Sequence, residues 1–427
     1  MAVSLLPQPQ PPRRSTGFSG WRIVAFAAIA LGMTGPGQTV GVSVFVDPMM
    51  ATLDLTRSQV STAYLIGTLT GSLLLPRLGK LIDDRGARVA MALVGGLFGV
   101  VLAAMAGVVG LITLVLGYTG IRMLGQGALS LVATTAVAPW FQRRRGFAIG
   151  VTTAVGSAGL SLIPVLSSRI IELVGWRGAW IALAALVWLV VVPIAVRGMI
   201  DRPSDVGQQP DGDAPLGAEA AAAADREAAA VSFTRGEAMR TPMFWAVAGA
   251  VAATGMIGTG LAFHQISLLG EQGLTPVQAA ANFIPQTVAA LTTTLLVGSM
   301  VDRFAAKWVL LTSMVLLAAA MLMVPLVTPG VIAAVYGAAV GAAGSAARAL
   351  EAASFPKLFG LAHVGAIRGV ITAISVASTA FGPLALSFGR DLTGSYVQVL
   401  VLLLAFPIGV SLLGLAAKVP TRPARSG

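Results

Sequence analysis

Apolar stretches of about 20 residues, each long enough to cross a bilayer as a helix, follow one another along the whole chain with short polar breaks between them. They lie near 21–46, 58–77, 89–109, 111–138, 146–168 and 178–196, then near 242–267, 276–300, 308–328, 331–353, 366–389 and 396–417. Charged residues make up 11% of the 427, and mean hydropathy is +0.85. A soluble globule of this size needs more charged surface than that. The expected fold class is an all-α membrane protein with twelve transmembrane helices and lipid as its main solvent.

The basic residues orient the chain. With both termini cytoplasmic, 22 of the 28 Lys and Arg fall in cytoplasmic segments, while Arg57, Arg169, Arg177 and Arg390 fall outside. That asymmetry fits the positive-inside rule in one orientation only, and the expected location is the cell inner (plasma) membrane, crossed many times. The formal charge of +11 comes in short clusters beside apolar spans, without a contiguous patch, so it does not point to nucleic acid. The stretch before span one holds Arg13 and Arg14 but leads to no small-residue cleavage site, so the first span is expected to be retained. With no cysteine and two histidines, His264 and His363, neither a metal centre nor a cofactor is expected.

A Pro-, Asp-, Gly- and Ala-rich stretch at 197–241 interrupts the spans and divides them six and six. The expected organisation is a tail at 1–20, a six-helix bundle at 21–196, a cytoplasmic linker at 197–241, a second bundle at 242–417 and a tail at 418–427. Within the linker, AEAAAAADREAAA has the propensity of a short surface helix. The halves agree at one fixed offset: Gly79, Asp83 and Arg88 match Gly298, Asp302 and Lys307, and Pro164 and Gly175 match Pro383 and Gly394 at the same spacing. Parallel repeats across a membrane imply a pathway between them.

Gly79-Lys80-Leu81-Ile82-Asp83-Asp84-Arg85-Gly86-Ala87-Arg88 follows span two, and Gly298-Ser299-Met300-Val301-Asp302-Arg303-Phe304-Ala305-Ala306-Lys307 follows span eight. The first resembles the signature of the major facilitator superfamily between helices two and three; the second is a weaker copy. The resemblance implies the major facilitator fold, two six-helix pseudo-repeats, and secondary transport without enzymatic activity. It also implies that Gly79, Asp83, Arg85, Gly86 and Arg88, with Gly298, Asp302, Arg303 and Lys307, govern the cytoplasmic gate. A solvated turn that only sets topology is the competing account. LTRSQVSTAYLIGTLTGSLLLPRLGKLIDDRGAR, APWFQRRRGFAIGV, GWRGAW and RPSDVGQQPDG are similar to the bacterial branch of monocarboxylate and oxalate/formate carriers. Span eight departs from that branch in having no charge, and span eleven has none beyond Arg368.

Charge inside a span is costly and needs a cavity or a partner. Arg122 in span four is the first candidate for an anion, with Tyr118 one turn earlier as a hydroxyl donor; bracing of helices is its alternative. Arg348 and Glu351, three apart in span ten, either neutralise each other or divide the work, Arg348 holding an anion and Glu351 a proton. His264 is a second proton candidate or a hydrogen-bonded interface histidine. Gln38 and Thr39 follow Gly35-Pro36-Gly37, where the helix either opens its backbone to a cavity or merely kinks. Tyr64, Tyr336, Asn282 and Gln286 are further cavity candidates. Gly67/Gly71, Gly95/Gly99, Gly146/Gly150 and Gly337/Gly341 have the spacing of close helix contacts.

No nucleotide-binding G-x-x-x-x-G-K-[ST] loop is present, so the chain carries no motor of its own. The expected function is alternating-access transport of a small organic anion, monocarboxylate-like, coupled to protons. The expected partners are that substrate, protons and the lipid bilayer, with the chain acting as a monomer. One alternative is an exporter or exchanger of an uncharged or cationic compound. A non-transporting sensor or membrane enzyme is the alternative of another class.

Overall fold

A computed structural model of the protein describes residues 18–141, 144–212, 233–360, 364–418 and 420. The side chains of 74–84, 145–146, 295, 298–303, 352–353, 356–357, 364–366, 368–369 and 372–373 lie outside the described set. The described residues form helices and no strands, as a chain in lipid must if its backbone groups are to be satisfied within each segment. Among the described residues, eight helical stretches are long and apolar enough to cross a membrane.

The first span is interrupted. Helix α1 (Gly20–Gly32) ends before a 3-10 turn at Gly35–Gly37, Gln38 is extended with φ −85° and ψ 156°, and α2 (Thr39–Leu53) begins afresh. Pro36 has no N–H to continue the ladder, which accounts for a break rather than a bend.

Helix α3 (Arg57–Met105) contains Gly86 at φ 80°, ψ 163°. A straight helix of its 49 residues would run about 74 Å, far beyond a hydrocarbon core of about 30 Å. The chain instead doubles back at Gly86, because both arms lie beside α4 (Leu111–Ile121) and the residues just after it. Gly67 packs on Tyr118 and Thr119 and Gly71 on Met123, while Gly117 packs on Met105 and Gly125 on Phe98. Helix α5 (Ser130–Thr135) continues α4 through a widened π-helical turn at Arg122–Leu129. Helix α6 (Arg145–Pro193) reverses in the same way at Gly175, φ 72°. Its first arm meets Leu31 and Gly32 through Gly156 and Gly159, and on its second arm Trp180 stacks on Phe45 at 3.8 Å. A residue with a side chain would be strained at either turn.

After the segment 199–212 and a short α7 (Arg235–Met239), the spans resume as α8 (Pro242–Gly270), α9 (Pro276–Ala281), α10 (Phe283–Arg303) and α11 (Ala306–Met323). They end with α12 (Val331–Phe359), α13 (Val364–Thr393), α14 (Tyr396–Leu403) and α15 (Ala405–Ala416). The expected surface helix AEAAAAADREAAA lies outside the described residues.

Several positions at the offset that relates the two signature segments share local geometry. Asp54 and Gly273 are both left-handed, at φ 51° and 87°. Thr56 and Gln59 form a capping box that opens α3, and Thr275 and Gln278 form one that opens α9. Gly175 and Gly394 are left-handed at φ 72° and 77°, and Pro164 and Pro383 both sit inside helices.

Gly337 and Gly341 let α12 close on α10: a Cβ at Gly341 would collide with the backbone carbonyl of Gln286. Gly67/Gly71 and Gly95/Gly99 likewise face neighbouring helices. Gly150 differs, since a side chain there would enter open space, so packing does not explain it. Gly341→Val should therefore destabilise by about 1–3 kcal/mol through overpacking. Gly150→Val should stay within about 0.5 kcal/mol of the parent, both read as unfolding midpoints in detergent.

Candidate functional site

A cavity of about 600 Å³ lies between the helices that end at Gly198 and those that begin at Pro242. Gln38 and Thr39 reach it from the break in the first span, Ser157 and Ser161 from α6, Thr254 and Thr259 from α8, Gln286 and Thr287 from α10, and Ser375 and Thr379 from α13. Among its described lining residues the cation is Arg348 of α12, whose side chain is exposed to the cavity. At 1.5 Å per residue Arg348 sits about 26 Å along from Val331 and about 17 Å before Phe359. Glu351, one turn further on, interacts electrostatically with Arg348 and is half-buried.

Arg122 does not line this cavity. Its side chain is buried at the end of α4, where Nη1 donates to the carbonyl of Gly37 at 3.2 Å and Nε to Thr68 Oγ1 at 3.0 Å. Its Cζ stands 4.7 Å from the centre of the Tyr64 ring. The Tyr64 hydroxyl is hydrogen-bonded to Thr39 Oγ1 at 2.6 Å, so the network ends on a cavity residue. Gly37 and Gly125 are what allow this approach: a Cβ at Gly37 would collide with the carbonyl of Ile121, and one at Gly125 with the Phe98 ring.

Tyr118, Tyr336 and Asn282 are also buried away from the cavity. Tyr118 packs edge-on against Tyr64, with ring centres 5.8 Å apart. Asn282 donates from Nδ2 to the carbonyl of Ala333 at 2.8 Å, tying the junction of α9 and α10 to α12. His264 is fully buried, and its Nε2 is 2.8 Å from the carbonyl of Pro383. A carbonyl only accepts, so Nε2 carries the proton in that bond. Of the residues expected at substrate, the structure thus brings Gln38 and Arg348 to one cavity, with Glu351 beside them, and sets Arg122, Tyr118, Asn282, Tyr336 and His264 behind its wall.

The two ends of the molecule differ. At the end carrying Arg57, the Arg57 guanidinium pairs with Asp47 at 2.6 Å, Arg390 pairs with Glu271 at 2.7 Å, and Ser58 hydrogen-bonds Asp391. Deeper on that side Tyr64 meets Phe263, with ring centres 4.7 Å apart. The Ser58–Asp391 bond and this aromatic pair join the earlier helices to the later ones and close the cavity from the Arg57 end.

At the opposite end, the backbone N–H of Arg88 donates to Asp201 Oδ1 at 2.8 Å and its Nη2 to the carbonyl of Val196 at 2.5 Å. The Asp201 carboxylate lies over Gly86, where a Cβ would come within 2.7 Å of it. Arg85 is exposed, and Lys307 places Nζ 5.4 Å from the Trp308 ring. The side chains of Gly79, Asp83, Gly298, Asp302 and Arg303 fall outside the described residues. Sequence reasoning missed Asp201, whose only signal was its position just after span six. It also missed the pairing of Arg57 with Asp47 and of Arg390 with Glu271, having treated both arginines only as outside charges.

The Major Facilitator Superfamily model matches residues 23–285. Over 142 residues the chain is 30% identical to the MFS transporter asaE of Aspergillus flavus, covering 32% of this chain and 31% of that one. Over 139 residues it is 32% identical to Monocarboxylate transporter 14 of Homo sapiens, covering 32% of this chain and 26% of that one. The matched region thus spans about a third or less of these curated relatives. A bacterial homolog of the human lysosomal transporter Spinster, in an inward-facing and occupied conformation, superposes with a TM-score of 0.69 at 15% identity, covering 94% of this chain and 97% of that one. Its inward-facing and unoccupied form gives 0.65 at 18% identity, covering 95% and 100%. At these identities the likeness to the solved structures is one of fold.

The chain has no native cysteine, so introduced pairs report without background. Ser58→Cys with Asp391→Cys should form an intramolecular cross-link on mild oxidation, seen as a shift in gel mobility, with neither single variant shifting. Failure of the pair to cross-link would contradict closure at the Arg57 end.

Proposed function

Because this chain belongs to the Major Facilitator Superfamily, a family of membrane transporters rather than enzymes, we propose that it moves a small organic anion by alternating access, coupled to protons. Arg348 is the observation that carries this reading: a guanidinium exposed to a cavity between helices is the group a carboxylate would seek, since charge-assisted pairs are strong where water is scarce. The partial match to a protein named as a monocarboxylate transporter supports the same class. Glu351 is the proposed proton carrier, one helical turn from Arg348, so that its ionisation state governs how much of the arginine's field reaches the anion. His264 is a secondary proton candidate, holding α8 to α13 in this state.

In this reading the twelve spans form two six-helix halves, 21–196 and 242–417, joined by the linker 197–241. The paired geometries at one constant offset support it. Both termini lie in the cytoplasm of a cell bounded by an inner membrane, as the distribution of basic residues favours. The Arg88 end is then cytoplasmic, the Arg57 end is outside, and the structure represents an inward-facing state of a monomer.

The gate residues take complementary parts. Asp201 holds Arg88 in the present state, and Arg85, Lys307 and the carboxylates of Asp83 and Asp302 would re-pair when the cytoplasmic end closes. Arg122 positions Thr39 and Gln38 for substrate through Gly37 and Tyr64 without touching it.

The test is uptake of labelled short-chain monocarboxylates into proteoliposomes under an inward proton gradient. Arg348→Gln should lower uptake about tenfold or more, the equivalent of losing one charge-assisted bond of about 1.5–3 kcal/mol. Glu351→Gln should flatten the pH dependence while leaving counterflow exchange in place. Unchanged uptake in Arg348→Gln would remove the anion reading.

A further inference from the structure

The polar groups of the cavity are not neutral in direction. Gln286 lines it, and the hydrogen bonds behind it fix which way its amide points. The carbonyl of Ala279 can only accept, so the Gln265 amide must turn Nε2 toward it, at 2.8 Å. That leaves Gln265 Oε1 to receive Nε2 of Gln286, at 2.6 Å. Both amide orientations therefore follow from one backbone carbonyl: Gln286 keeps Oε1 as its acceptor for the cavity, with the second hydrogen of Nε2 as its remaining donor.

Gln38, from the other side, is fixed by the same logic. The Thr34 hydroxyl donates its hydrogen to the carbonyl of Leu31 at 2.7 Å, so its oxygen can only accept from Gln38 Nε2, at 3.1 Å. The second hydrogen of Nε2 is directed at Ser130 Oγ, at 3.5 Å, so Gln38 keeps Oε1 for the cavity.

The hydroxyls of the wall repeat the pattern. Thr153, Ser161, Thr287, Thr294 and Thr379 each donate to a carbonyl three or four residues back on their own helix, at 2.8–3.0 Å. Their hydrogens are spent and their lone pairs are left. Ser157, Thr254, Thr259 and Ser375 are rotors that serve either way. Arg348 is the strong donor among the described lining residues, set in a wall of acceptors.

We propose that the cargo is a polyhydroxylated monocarboxylate: an acid whose single carboxylate meets Arg348 and whose several hydroxyls donate to the carbonyl oxygens of Gln38 and Gln286 and to the threonine and serine oxygens. This rests on the organic-anion reading above and narrows it. A plain fatty acid would leave those acceptors dry and unpaired. A dicarboxylate would set its second carboxylate, itself an acceptor, against oxygens.

The test is competition for binding to the purified full chain by four probes of matched length: gluconate, hexanoate, adipate and the uncharged polyol sorbitol. Gluconate should bind about tenfold or more tightly than hexanoate, because a site built to pair hydroxyls discriminates against analogues that lack them. Adipate and sorbitol should be weaker still. Gln38→Met and, separately, Thr287→Val should reduce gluconate affinity severalfold and leave hexanoate unchanged, each checked for monodisperse elution and a parental unfolding midpoint.

Hexanoate or adipate binding as tightly as gluconate would overturn the hydroxylated-cargo inference while leaving the anion reading intact. Sorbitol binding as tightly as gluconate, insensitive to Arg348→Gln, would instead overturn the anion reading beneath it. Binding of none of the four counts against the inference.

Discussion

The bond from the Arg122 guanidinium to the carbonyl of Gly37 is the constraint on which the rest of the site depends. A break in a membrane helix releases backbone groups that no water in the hydrocarbon can satisfy, and each unsatisfied group would cost several kcal/mol. Here Pro36 makes the break and Arg122 satisfies a carbonyl it exposes, while Thr68 and the Tyr64 ring take up the remainder of the charge. The same contact answers two problems at once: a buried arginine acquires partners, and an open turn of backbone becomes tolerable at membrane depth. Because the break is held, Gln38 and Thr39 can face the cavity at all.

From that anchor the polarity of the cavity follows in steps. Thr34, inside the break, passes its hydrogen to Leu31 and so turns the Gln38 amide, and Thr39 is tied to Tyr64 on the arginine. Opposite, the Gln265–Gln286 pair turns the second amide by the same rule. The wall then presents mostly acceptors around Arg348. Closure at the Arg57 end by Ser58, Asp391, Tyr64 and Phe263 leaves this field to be approached from the other side. The aromatic contact uses the very tyrosine that packs on Arg122, so the break in the first span and the closed end share a residue.

Much of the architecture was legible in the sequence because lipid leaves few choices. Apolar runs of membrane-spanning length become helices, and the left-handed turns at Gly86 and Gly175 that reverse the chain fall between successive runs. The break after Gly35-Pro36-Gly37 was visible as a weak point, and the structure resolves it as a true interruption. What sequence could not give was which arginine faces the cavity. Arg122 and Arg348 both lie within apolar spans, and only tertiary packing reveals that one is consumed by Gly37 and Thr68 while the other stays open. Amide direction was equally hidden, being set by partners such as Leu31 and Ala279 whose role is their carbonyl and not their side chain. Asp201 escaped notice because a carboxylate in a Pro-rich linker looks solvated until Arg88 and Gly86 are seen beneath it.

Transport through one cavity requires that opening alternate between the two ends of the molecule. Paired spin labels test this most directly, one pair at Asp54 and Leu392 on the Arg57 end and one at Arg197 and Arg240 on the opposite end, with distances measured in proteoliposomes. Adding transported acid under a proton gradient should lengthen the first distance distribution and shorten the second. Alternating access is contradicted if both distances stay fixed while the acid crosses the membrane, or if both ends open together.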